Sequence, residues 1–95
     1  MSKIYHIYVN PKLGVTQAQI EEILNLGQDW LRYDNKCWLV KTTSNAKKWH
    51  ARLEKCIEPG GQMLITQLNP ADYWGHMPKT IWDWLTKAKK DVIPE

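Results

Sequence analysis

Two β-rich runs, residues 30–33 and 37–42, are separated only by Asp34-Asn35-Lys36, and each connects through one amphipathic helix to a further strand-like run. Asp and Asn tolerate tight-turn backbone, so the two runs form a hairpin. On its N-terminal side, Ile4 to Val9 (IYHIYV) is β-branched or aromatic apart from His6, as in a strand covered on at least one side. Asn10-Pro11 and Leu13-Gly14 close that run as a loop. Thr16-x-x-Gln19 then makes a capping box, and Ile20, Ile23 and Leu24 follow at helical spacing. The pattern predicts a first helix over 17–26, with Gly27 as a left-handed stop.

On the C-terminal side of the hairpin, Ser44 or Asn45 caps a second helix. Its apolar stripe is Ala46, Trp49, Leu53, Cys56 and Ile57, and Pro59-Gly60-Gly61 ends it. Gln62 to Leu68 is the fourth strand, closed by Asn69-Pro70. Met77, Ile81, Trp84, Leu85 and Ala88 fit one face of a third helix, predicted over 78–89, with 91–95 expected to fray. The order β-α-β-β-α-β is that of a ferredoxin-like α+β sandwich, here with an extra C-terminal helix. The chain reads as one domain, with a core over 3–68 and a Trp-rich extension over 69–95. Crossover rules lead us to expect the first and fourth strands at the centre of the sheet, with both early helices on one face. The other face then needs a cover, from the Trp-rich tail, a second subunit, or both.

Composition narrows the chemistry. Six Trp and four Tyr with no Phe give the chain large rings with polar edges, suited to half-exposed positions. Net charge is +3, mildly basic, and it is unevenly placed. Lys47, Lys48, Arg52 and Lys55 stand against Glu54 alone, a surplus of three on the second helix. Lys79, Lys87, Lys89 and Lys90 stand against Asp83, a surplus of three on the third. Cys37 and Cys56 are too few for a disulfide framework and read as small buried hydrophobes. Met1-Ser2-Lys3 runs directly into the first strand, and no apolar stretch nears the ~20 residues of a membrane span, so a cytoplasmic protein is expected.

No catalytic pattern emerges. His6, His50 and His76 fall on a strand, a helix and a loop, without ligand spacing, so neither metal nor cofactor is expected. Neither cysteine has an evident base beside it in sequence, and Gly60-Gly61 opens no helix. What remains is Lys and Arg interleaved with rings, which suits phosphate neutralisation and base stacking, against an ordinary solvated helix face. The candidate contact residues for nucleic acid or another partner are Lys47, Lys48, Arg52, Lys55, Trp74, Trp82 and Lys87. Trp82 lies off the apolar face of the third helix, which marks it as an exposed interface residue.

The whole chain resembles the small bacterial SinR-family proteins, related in fold to the ferredoxin-like endoribonucleases of CRISPR adaptation and to VapD-type toxins. The resemblance lies in Asp29-Trp30, Asn35 to Val40, Leu53 to Ile57, Met63-Leu64-Ile65 with Leu68, Trp74-Gly75 and Trp84-Leu85. It implies a homodimer, and an acid at the end of the first strand that holds a divalent metal for phosphodiester cleavage. This chain has Tyr8-Val9-Asn10 there, and valine neither binds metal nor activates water. The expectation is therefore a non-catalytic module binding nucleic acid or a nucleoprotein partner through basic, Trp-rich helices. The alternatives are a protein–protein inhibitor or accessory factor, of the phage anti-defence or antitoxin-like kind, and a divergent metal-dependent nuclease.

Overall fold

The computed structural model describes residues 1–92. The elements are β1 (Lys3–Asn10), α1 (Gln17–Leu24), β2 (Asp29–Asp34), β3 (Cys37–Thr42), α2 (Ala46–Ile57), β4 (Gln62–Leu68) and α3 (Lys79–Ala88), followed by a 3-10 turn over Lys89–Asp91. This is the α+β, ferredoxin-like order with an added C-terminal helix.

The sheet is antiparallel throughout, with strands in the order β2-β3-β1-β4. The expected centre is therefore corrected: β1 and β3 are central, and β4 is an edge. The hairpin return strand β3 pairs with β1 from Lys3↔Thr42 to Tyr8↔Cys37, filling the place between β1 and β2. Only the opposite side of β1 is then open to β4, which pairs from Ile4↔Leu68 to Asn10↔Gln62.

Alternation along the strands sends two apolar sets to opposite faces. Tyr5, Ile7 and Val9 of β1 and Trp38 and Val40 of β3 pack under α1 (Ile20, Leu24) and α2 (Trp49, Leu53, Cys56, Ile57). Ile4 and Leu39 point the other way, against Ile81, Leu85 and Ala88 of α3 and Val92. The tail is thus the cover that the second face requires. Two buried indoles find polar partners: Trp38 Nε1 donates to Glu21 Oε2 at 3.1 Å and Trp49 Nε1 to Thr42 Oγ1 at 3.2 Å.

Both caps form as their sequences dictate. Thr16 and Gln19 complete the capping box, and Asn45, not Ser44, accepts from the Lys48 amide at 2.9 Å. The end of α1 differs from expectation. The helix stops at Leu24, and Gly27 does not take positive φ, which among glycines belongs to Gly14 and Gly60. Gly27 is instead a site of close approach, where a Cβ would lie 3.1 Å from both Lys41 O and Val40 Cγ1. The chain end is also more ordered than expected, since Asp91 pairs with Lys41 and Val92 bridges to Ser2. Residues 93–95, the rest of the segment expected to fray, lie outside the described residues. Among those described, no helix is long and apolar enough to cross a membrane.

Candidate binding site

The two basic helices do not share a surface. α2 packs on one face of the sheet and α3 on the other, so Lys47, Lys48 and Lys55 are separated by the whole sheet from Trp74, Trp82 and Lys87. Lys47, Lys48 and Lys55 are exposed on α2. Arg52 is different: its guanidinium sits 4.6 Å over the Trp49 ring, and its Nη1 is buried without a hydrogen-bond partner. Off-stripe placement predicted a solvated cation, but the long stem lies along the core indole.

On the opposite face the segment after β4 folds back towards the sheet. Asn69 starts the turn, its side chain accepting from the Ala71 amide at 2.9 Å. Tyr73 then stacks on Trp82 of α3, with centroids 6.2 Å apart and planes 17° from parallel. The expectation of a freely exposed Trp82 is therefore corrected: it is half-buried, one face taken by Tyr73. Lys89 donates to Tyr73 Oη at 3.1 Å and lies 5.3 Å over the same ring. Trp74 is the opposite case, 100% exposed. Together Pro70, Tyr73, Trp74, Gly75, Trp82 and Lys89 line an open groove of about 430 Å³. Lys87 is exposed on α3, while Lys79 is paired with Asp83 at 2.8 Å.

A smaller pocket of about 230 Å³ shares Tyr73, Trp74 and Trp82 and reaches His6 and Tyr33 on the sheet. His6 Nε2 hydrogen-bonds Tyr33 Oη. Burial holds His6 below its ordinary value. Burial also pushes Tyr33 up to about 12, helped by a hydrogen bond and charge repulsion from Cys37 and by the Asp34 carboxylate. Near neutral pH the pair is thus an uncharged imidazole against an uncharged phenol, with neither group poised to exchange a proton. Cys37 is half-buried, less enclosed than expected, whereas Cys56 is buried.

The position at which the family resemblance implies an acid faces inwards. Val9 is 0% exposed, in the cluster beneath α1 and α2. Asn10 is half-buried and alternates to the other face. Among the described residues, no three His, Cys, Asp or Glu side chains cluster closely enough to hold a metal ion.

No protein-family model matches the chain, and comparisons with curated proteins and with solved structures return no significant match. The resemblance to SinR-family proteins rests on the residue patterns alone.

Sequence reasoning missed a third feature, a groove of about 570 Å³ between α1 and α2, with Val15, Ile23 and Leu26 on its walls and Lys12 and Lys55 at its edge. Leu26 is largely exposed, and Leu13, near Lys12 in the preceding loop, fully so. Exposed Leu beside a helix start was the available signal. The meeting of Tyr73 with Trp82 and Lys89 was not identifiable, because it depends on the path of an irregular loop.

Proposed function

We propose that this chain is a non-catalytic, cytoplasmic binding module for single-stranded nucleic acid, with the Trp74 groove as its primary contact. The observation that carries this reading is a fully exposed indole at the edge of a groove already containing a stacked Tyr73–Trp82 pair and an ammonium group. An indole left in water gives up its burial energy, and a base stacking on it would recover part of that. Base–aromatic stacking contributes about 1–3 kcal/mol per base without demanding a sequence. Lys87 and Lys89 supply cations on the same helix end for the adjoining phosphates. Lys47, Lys48 and Lys55 form a separate basic face, which would engage only a strand long enough to wrap the domain or a nucleoprotein partner.

Titration of tryptophan fluorescence with short DNA and RNA oligonucleotides tests the reading. Trp74→Ala should weaken binding by roughly 5- to 150-fold, the range that one stacked base represents. Lys87→Gln should lower the slope of affinity against salt by about one. Wild-type affinity in Trp74→Ala would overturn the assignment. For the α2 face, Lys47, Lys48 and Lys55 are the residues to neutralise together. Arg52 is unsuited to that purpose, since its removal also uncovers Trp49.

A second reading has its own observation. The groove between α1 and α2, where the apolar side chains of Val15, Ile23 and the exposed Leu26 are flanked by Lys12, Glu22 and Lys55, suits an inhibitor or accessory factor that grips a protein. Its signature would be a salt-insensitive complex lost in Leu26→Asp and retained in Trp74→Ala.

A further inference from the structure

Beside the Trp74 groove lies a second space, of about 230 Å³, between α3 and the sheet. Its floor is apolar, made by the buried Leu39, Ile81 and Leu85. Its mouth is the exposed pair Trp74 and Gly75, which it shares with the groove. Gly75 keeps that mouth clear, since a Cβ there would meet only the Trp82 ring, at 3.6 Å. One side wall is polar, the hydrogen-bonded His6–Tyr33 pair.

Size and wall chemistry together select an occupant. Pockets for drug-sized ligands run to roughly 300–1,000 Å³, so this one admits a single small ring system. Among the described residues that line it there is no Lys, Arg, Asp or Glu. The His6–Tyr33 pair is itself uncharged near neutral pH, which suits a neutral ring and leaves an anion without a partner. A tyrosine hydroxyl has one proton and two lone pairs. His6 and Cys37 each engage that of Tyr33, which leaves one place for an edge entering from the mouth.

We propose that this pocket receives one nucleobase of a bound single strand, turned inwards past Trp74, with its rings over the apolar floor and its edge hydrogen-bonded to Tyr33 Oη. The proposal rests on the nucleic-acid reading above and deepens it. Stacking on Trp74 is blind to sequence. A polar wall that meets the edge of a base discriminates among bases, because the wrong edge leaves a hydrogen-bonding group unpaired. A base in a single strand turns inwards at little cost, having no pairing to give up. Its phosphate stays outside, towards Lys89 over the Tyr73 ring.

Free nucleosides, which carry no phosphate, are the probe. In titrations followed by NMR, they should move the ring-proton signals of His6 through the ring current of the inserted base. Those of His50, on α2 across the sheet, should stay in place. 1-Methylindole, a ring of similar size without a hydrogen-bonding edge, should bind several-fold more weakly. Tyr33→Phe should weaken nucleoside binding by roughly 2- to 13-fold, the equivalent of one neutral hydrogen bond, and shrink the differences among the four bases. Gly75→Leu starts a side chain against Trp82 at the exposed mouth, so it should abolish nucleoside binding with the circular dichroism spectrum unchanged. No movement of His6 up to the solubility limit of the nucleosides, or 1-methylindole bound as tightly as they are, would overturn the proposal. So would oligonucleotides that bind through Trp74 with affinity untouched by Tyr33→Phe and Gly75→Leu, a result that spares the proposed function. The converse, nucleosides filling the pocket while oligonucleotides fail to bind, would keep the base site and remove the strand.

Discussion

Trp49 and Thr42 meet in the core through a 3.2 Å hydrogen bond from the indole N–H to the threonine hydroxyl, joining the first turn of α2 to the end of β3. The same hydroxyl accepts from the Ser44 amide at 3.0 Å, so one oxygen serves two donors. Thr42→Val keeps the shape and strands both donors. The expected cost is about 1–3 kcal/mol, a fall in Tm of several degrees for a chain of this size. Thr42→Ser, which retains the oxygen, should be milder. Thermal unfolding followed by circular dichroism separates the two.

Val9 offers a sharper comparison. If the end of β1 were a dormant metal site, Val9→Asp would restore its acid. The side chain has no solvent and lies among Ile7, Trp38 and the α2 stripe, so the carboxylate would be buried unpaired. We expect a stability loss on the order of 4 kcal/mol and no gain of divalent-metal-dependent cleavage. Denaturant unfolding and an RNA cleavage assay check the two halves.

The His6–Tyr33 pair sets two limits on pH stability. His6 has a folded value below its unfolded 6.5, so the unfolded chain binds the extra proton first. Its contribution is complete above 6.5 and is lost as pH falls from there through the lowered native value. Tyr33 moves in the opposite sense, from 10.0 to about 12, so its contribution holds below 10 and declines as pH rises towards 12. Urea unfolding across the pH range should show both slopes. His6→Gln should flatten the acid one and leave the alkaline decline in place.

Gly61 sits where β4 leaves the α2 turn. A Cβ there would lie 2.7 Å from Asn10 O and 2.9 Å from Ile57 O, both backbone atoms that cannot swing aside. Gly61→Ala should cost roughly 1–3 kcal/mol through forced backbone shifts. Gly75→Ala, whose nearest neighbour would be the Trp82 ring at an ordinary 3.6 Å, should be close to neutral. Chemical denaturation midpoints for the two variants provide the comparison.

Much of this fold could be read from local pattern. The hairpin follows from Asp34-Asn35-Lys36, and the helix starts follow from Thr16, Gln19 and Asn45, because caps and turns depend on neighbours in the chain. Strand order was not legible in the same way. β3 and β4 are both apolar enough to lie beside β1 on either side, and the choice depends on which place the hairpin return takes first. Gly27 shows a related limit: a glycine after a helix has a local explanation, and only the approach of Val40 and Lys41 reveals the true one. The candidate site was half legible. Trp74 and the basic helices were visible, but Trp82 lies on the flank of the α3 stripe, where exposure depends on whether Tyr73 folds over it. Arg52 occupies a polar position by spacing and a packed one by the length of its stem.

α3 also leaves the ribosome after the whole sheet and the two helices on its other face. Until residues 79–88 emerge, a nascent sheet already capped by α1 and α2 has the greasy side of Ile4, Leu39 and Leu68 uncovered. Synthesis therefore passes through a window in which one layer is complete and its reverse is adhesive, the kind of intermediate on which holding chaperones act. A premature stop anywhere between Asn69 and Lys79 would fix the chain at that stage and favour its precipitation in the cell.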